Sequence, residues 1–225
     1  MVNRAQSIGP AAVDQRRSRG RDQTTDGGGA MADDLNPLAT ALNGRIKRTV
    51  VLVGLMGAGK SCVGRRLAAR LNLAFVDADT AFEAAAGCTI SEYFARHGEA
   101  DFREGERKVI ARLLEQEPMI LATGGGAFID PTTRARIREG AVSVWIRADL
   151  PLLLKRTVGR DHRPLLKQGD PAEILGRLIE TRHPIYAEAD IIVDSTDEAP
   201  DATVARVLTG LADHLNAAET AEEKR

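Results

Sequence analysis

A continuous β-branched run, Thr49-Val50-Val51-Leu52-Val53, opens the regular part of the chain. No polar position alternates through it, so it predicts a strand buried on both faces. Val63, Leu67 and Leu71 then recur every four residues, the apolar stripe of a helix packed on that strand. Short apolar runs return at Leu73–Val76, Met119–Ala122, Val142–Ile146 and Ile191–Val193. Helical stretches separate them: Thr80–Ala86, Ile90–Arg96, Glu99–Glu115, Pro131–Arg138, Leu150–Lys155, Ala172–Tyr186 and Pro200–Leu215. Strands alternating with helices imply parallel strands joined by right-handed crossovers. The pattern predicts an α/β fold in three layers, a five-stranded parallel sheet with helices on both faces. Its ligands are expected at the carboxyl ends of the strands.

Residues 1 to 44 break this pattern, with Arg16, Arg17, Arg19 and Arg21 followed by Gly27-Gly28-Gly29 and little apolar content. Such a stretch buries too little surface to offset the entropy of ordering it. It is expected to be a disordered extension, and residues 218–225 a disordered tail, around one domain over 45–217. Asp14, Asp22 and Asp26 speak against a transit peptide, and Met31 offers an alternative start. The net charge of -1 removes any global attraction to nucleic acid or anionic membranes, so anion binding must come from local clusters. No apolar run approaches the ~18 residues of a membrane span. Cys62 and Cys88 are too few for a disulfide framework and lack zinc-site spacing. A cytoplasmic, monomeric protein is expected.

Gly54-Leu55-Met56-Gly57-Ala58-Gly59-Lys60-Ser61 fits G-x-x-x-x-G-K-[ST], after a strand and opening a helix. Glycines let the loop curl so that successive N–H groups point at one phosphate, and the helix N-terminus adds partial positive charge. Lys60 would reach the β- and γ-phosphates, and the Ser61 hydroxyl would ligate Mg²⁺. Nucleotide contacts are expected along Gly57, Ala58, Gly59, Lys60, Ser61 and Cys62. No Asn-Lys-x-Asp guanine-reading segment follows, which favours ATP over GTP. The strand Met119–Ala122 runs into Thr123-Gly124-Gly125-Gly126 rather than an acid, so Asp77 is the acid best placed to support the metal.

Asp77-Ala78-Asp79 follows the second strand, where a carboxylate can align an acceptor hydroxyl and take its proton. Helix capping is the alternative: Asp79 as N-cap, with Thr80 and Glu83 forming a capping box. Arg103 lies on a charged helix, either paired with Glu106 or facing a ligand. Gly124–Gly126 would let a ligand approach backbone N–H groups, or form only a flexible turn. Arg182 suits a helix C-terminus with or without a ligand. His97, His162 and His183 read as surface or structural. Arg156, Arg160 and Arg163, with Gly159 and Gly169, predict a basic lid over about 156–168 that folds over phosphates, against a merely solvated loop.

Taken together, Gly54–Ser61, Asp77-Ala78-Asp79, Phe102-Arg103-x-x-Glu106, Gly124-Gly125-Gly126, Arg163-Pro164-Leu165-Leu166 and Arg182-x-Pro184-x-Tyr186 resemble the ordered motifs of shikimate kinases. The resemblance covers roughly Arg48 to Val204 and implies a nucleoside-monophosphate-kinase-like fold. It implies ATP-dependent phosphorylation of the 3-hydroxyl of shikimate, on the way to aromatic amino acids. Carried over, Asp79 would hold and deprotonate the hydroxyl, Arg103 and Arg182 would clamp the carboxylate, and Gly125 would offer backbone. Asp77 would support magnesium through water, Arg163 would act on the phosphates, and Arg156 would stack on adenine. The loop Ser195–Pro200 departs from the family in lacking Arg-Asn before the proline.

Shikimate carries one carboxylate and a ring of hydroxyls, which call for guanidinium forks at one end and a carboxylate at the other. Gluconate shares that chemistry, so a gluconate kinase, a nucleoside-monophosphate kinase and an ATP-binding regulator without acceptor chemistry are the rival expectations.

Overall fold

In the computed structural model, residues 37–157 and 169–223 are described. Strand β1 (Thr49–Val53) is buried at all five positions, because it has strands on both sides and helices on both faces. It pairs in parallel with β3 (Met119–Ala122) on one side and β4 (Ala141–Arg147) on the other. The outer strands β2 (Ala74–Asp77) and β5 (Ile191–Asp194) complete the order β2-β3-β1-β4-β5, parallel throughout. The chain therefore leaves β1 in one direction to β2 and β3, then crosses to β4 and β5. A sheet wound this way opens a crevice at the carboxyl ends of its central strands.

A helix over 37–42, α1, precedes the sheet. Helix α2 (Lys60–Leu71) buries Val63, Leu67 and Leu71, the stripe the spacing predicts. It packs with α8 (Pro200–Glu223) over β3 and β5. Helix α5 (Pro131–Gly140) lies on β4 and against α4 (Ile90–Leu114). Helix α4 is broken at Gly98 (φ 80, ψ 179), so the two helices expected from the pattern meet there with no loop between them. Helices α3 (Ala78–Ala86), α6 (Leu150–Thr157) and α7 (Pro171–Tyr186) complete the described elements. An aromatic cluster binds α3 to α4: Phe82 packs edge-on against Phe102 and Tyr93, at 4.9 and 5.0 Å between ring centroids. Trp145, the single tryptophan, sits under α7 with His183 4.8 Å away.

Both expected tails need correction at their inner ends. Ala39 and Leu42 of α1 are buried in the core, so the folded part begins before residue 45. Helix α8 continues to Glu223 across the expected tail. At the first end a short apolar face packs on the core; at the second, residues 218–221 are exposed and the Glu219 carboxylate is met by Arg45 at 2.9 Å. Residues 1–36, and residues 158–168 of the expected lid, lie outside the described part. His162 is among the latter; His97 and His183 pack on Tyr93 and Trp145 as structural histidines.

The turn from β1 into the phosphate loop is held by a position only glycine fits. Gly54 has φ 132, and a Cβ there would stand 2.6 Å from the Ile146 carbonyl oxygen of β4. Gly54→Ala is expected to lower ligand-free stability by about 2 kcal/mol or more, through backbone strain and the clash together. Urea unfolding of the two proteins without nucleotide measures this.

Candidate active site

The phosphate loop runs from Gly54 to Ser61 at the carboxyl end of β1. Gly59, left-handed at φ 104, is the N-cap of α2, and no side chain among the described residues caps that helix. The first N–H groups of α2 are thus left to a ligand, the arrangement that binds phosphate. Lys60 is buried; its ammonium donates to the carbonyls of Gly54 at 2.7 Å and Leu55 at 3.0 Å. It lies across the loop whose phosphate it would meet.

Asp77 ends β2 and joins the two halves of the site. One carboxylate oxygen accepts from the Ser61 hydroxyl at 2.7 Å, the other from the backbone N–H of Asp79 at 3.1 Å. It is therefore Asp77, not Asp79, that caps α3. The expected capping box at Thr80 is also displaced: Glu83 accepts from the Ile90 N–H, and the box forms at Thr89 and Glu92. Relieved of capping, the Asp79 carboxylate faces the cleft. Burial, then the charges of Asp77 and Glu106, push it from its ordinary 3.8 up to about 6, with Lys60 pulling the other way. A group in that range is ionised at neutral pH and basic enough to take a proton.

Glu106 is buried on α4 and pairs with Arg103 at 2.9 Å, while Glu99 meets the same guanidinium at 3.3 Å. Burial raises the Glu106 carboxyl and Arg103 opposes that rise. Between Asp79 and Glu106 runs the Gly124 backbone. A Cβ at Gly124 would stand 2.7 Å from Asp79 Oδ1 and 3.0 Å from Glu106 Oε1, so glycine is what lets both carboxylates close in. The Gly125 carbonyl accepts from Arg182 at 2.9 Å and from the Tyr186 hydroxyl. Burial lifts that hydroxyl to about 12, which keeps it a donor. The Arg103 guanidinium lies against Gly126. The triple glycine is accordingly the meeting point of α4 and α7, not a flexible turn.

Arg156, at the end of α6, donates to the Ser195 hydroxyl at 2.9 Å and the Thr196 carbonyl at 2.7 Å. It also reaches the Ala58 carbonyl of the phosphate loop at 3.4 Å. A cleft of about 540 Å³ collects Lys60, Ser61, Asp77, Asp79, Gly125 and Arg156, together with Gly57, Gly59 and Cys62 of the loop. Arg103 and Arg182 contact its Gly125–Gly126 edge rather than line it. Arg163 lies outside the described residues. Sequence reasoning singled out the Ser195–Pro200 loop only for its departure from the family and assigned no site residue there or at Thr203, yet Ser195, Pro200 and Thr203 also line the cleft. Their only signal is position, just after the last strand.

A phosphate loop after β1, a poised carboxylate after β2 and arginines beyond it define a P-loop kinase with a small-molecule acceptor. The shikimate kinase family model matches residues 56–212. A shikimate kinase of Paramagnetospirillum magneticum is 74% identical over 190 residues, spanning 84% of this chain and 97% of that protein. One from Caulobacter vibrioides is 53% identical over 181 residues, 80% of this chain and 87% of that protein. The shikimate kinase of Acinetobacter baumannii, solved in complex with shikimate, superposes with a TM-score of 0.70 at 33% identity, over 77% of this chain and 96% of that one. This chain belongs to the shikimate kinase family.

Asp79→Asn separates catalysis from stability. Ionising a buried carboxylate whose folded value exceeds its unfolded one costs stability, a cost absent below about pH 4 and complete above about pH 6. The variant should lose ~10²–10⁴-fold in turnover. At pH 7 it should be more stable than the parent by roughly 1–3 kcal/mol, an advantage that fades towards pH 4. Chemical unfolding across pH 4–7, beside steady-state rates, checks both.

Proposed function

We propose that the protein transfers the γ-phosphoryl group of ATP to the 3-hydroxyl of shikimate, a step towards aromatic amino acids. The observation that carries this reading is Asp79, uncapped and basic, in the same cleft as Lys60 and beside the arginine-bound Gly125. Gly57 through Cys62 cradle the phosphates, with Lys60 on the transferring group and Arg156 at the nucleoside end. Arg103 and Arg182 hold the carboxylate of the acceptor, and the Gly125 backbone seats its ring. Ionised Asp79 orients the hydroxyl and takes its proton as the new O–P bond forms and the bond to ADP breaks.

The Ser61 hydroxyl and Asp77 carboxylate, already in contact, form an oxygen set that suits magnesium, with phosphate oxygens and water completing it. Ser61 would hold the ion directly and Asp77 through water. Bound there, magnesium would neutralise charge on the β- and γ-phosphates. No helix among the described residues is long and apolar enough to cross a membrane, and Cys62 and Cys88 are free thiols.

ADP release with shikimate, gluconate and nucleoside monophosphates tests the acceptor. Shikimate should give a kcat/KM at least ~10²-fold above nucleoside monophosphates, which leave the carboxylate and hydroxyl contacts unpaired, and above gluconate, whose open chain loses more freedom than a ring on making them. Faster turnover of gluconate or a monophosphate would overturn the assignment.

Arg103→Lys and Arg182→Lys keep the charge and lose the fork. Each should weaken shikimate binding by about 1.5–3 kcal/mol and leave ATP binding little changed. Calorimetric titration with each ligand reads this directly, and equal losses for both would move these arginines to the phosphate end.

A further inference from the structure

The segment after β5 forms one wall of the cleft: Ser195 lines it, as do Pro200 and Thr203 at the start of α8. It carries three carboxylates in close succession, Asp194, Asp197 and Glu198. None of the three lines the cleft itself, but negative charge carried on its wall works against an anionic nucleotide. Each is met by a cation from a different element. Asp194 accepts from Arg147 of β4 at 2.5 and 2.8 Å, and Asp197 from Lys155 of α6 at 2.6 Å. Glu198 accepts from Arg206 of α8 at 2.5 Å.

Arg206 differs from the other two because it also grips the segment elsewhere. Its second guanidinium nitrogen donates to the Asp194 carbonyl and to the Thr196 hydroxyl, both at 3.3 Å. Thr196 in turn holds Arg156 through its carbonyl, and Arg156 reaches the phosphate loop at Ala58. A line of contacts thus runs from α8 through the 194–198 segment to the nucleotide end of the cleft. The pair itself is exposed, at 38% for the Arg206 side chain and 56% for Glu198, so it adds little to global stability.

We propose that Arg206 is a positioning residue for the nucleotide: it masks Glu198 and pins the 194–198 backbone, and thereby holds Arg156 and Ser195 as the cleft wall. This rests on the reading of the cleft as an ATP site. It supplies a cation to the loop from the following helix, in a loop whose own sequence has none before Pro200.

The test compares Arg206→Ala, Arg206→Lys and Arg206→Ala/Glu198→Gln with the parent enzyme. Steady-state constants for both substrates, ADP affinity by calorimetry and melting temperature are measured for each. Arg206→Ala should raise KM for ATP and Kd for ADP by ~3–10-fold, as expected of a contact acting through one intermediate residue. KM for shikimate and the melting temperature should move far less. Lysine keeps the pairing with Glu198 and should recover much of the loss. Glu198→Gln removes the uncovered charge and should recover part of it. Unchanged ADP affinity in Arg206→Ala, or a rise in shikimate KM as large as that for ATP, overturns the proposal. A parent enzyme that fails to phosphorylate shikimate would sink the proposed function alone, because the ADP affinities still decide the role of Arg206.

Discussion

Asp77 uses both carboxylate oxygens at once, one on the Ser61 hydroxyl and one on the N–H of Asp79. That double contact fixes the start of the phosphate-loop helix against the start of the acceptor helix. In-line transfer needs the attacking hydroxyl and the γ-phosphate held a few tenths of an ångström from their productive positions. The phosphate loop and Asp79 follow different strands, with β3 standing between β1 and β2 in the sheet. Without a bond across the mouth of that gap, their separation would follow every small shear of the sheet. Asp77 closes the gap before any ligand arrives.

The same carboxylate releases Asp79 from structural duty. A helix N-terminus requires an acceptor for its first N–H groups, and an aspartate two residues earlier meets that requirement. Asp79 is then free to be buried among Asp77 and Glu106, an arrangement that disfavours its charge and leaves it basic. Native sites commonly hold strain of this kind, and the surrounding fold offsets it. Here the offset is visible in the aromatic cluster of Phe82, Tyr93 and Phe102, which anchors α3 to α4 whatever the charge state of Asp79.

What the chain reveals unaided follows the range of the interactions involved. The phosphate loop is legible because its chemistry is local: the glycines, Lys60 and Ser61 act within eight consecutive positions. The strands are legible because a run such as Thr49–Val53 has one stable home. Asp77 and Asp79 are visible as a pair, but their division of labour is not, since it depends on which carboxylate reaches Ser61 across sixteen positions. The convergence of Arg103, Arg182 and Tyr186 on Gly124–Gly126 is a tertiary fact, readable in advance only through the ordered motifs of a family. The wall formed by Ser195, Pro200 and Thr203 has no motif of its own. The helix at 37–42 was hidden because two buried side chains, Ala39 and Leu42, decide it against an otherwise polar composition, and the helix beyond residue 217 was hidden because its exposed residues carry no apolar stripe.

The central position of β1 has a consequence for how the molecule is made. Val51 pairs with Leu121 on one side and Ser143 on the other, so the first strand to leave the ribosome is among the last to find its neighbours. Until β3 and β4 emerge, Thr49–Val53 is an apolar segment with open edges, the kind of surface on which nascent chains associate wrongly. The close approach of Gly54 to the Ile146 carbonyl at the end of β4 is likewise absent until β4 has emerged. Synthesis of this enzyme therefore leaves that segment open to wrong association until the third and fourth strands have emerged. A slowed translation through β3 and β4 would lengthen that window, and nucleotide could rescue only chains that had already passed it.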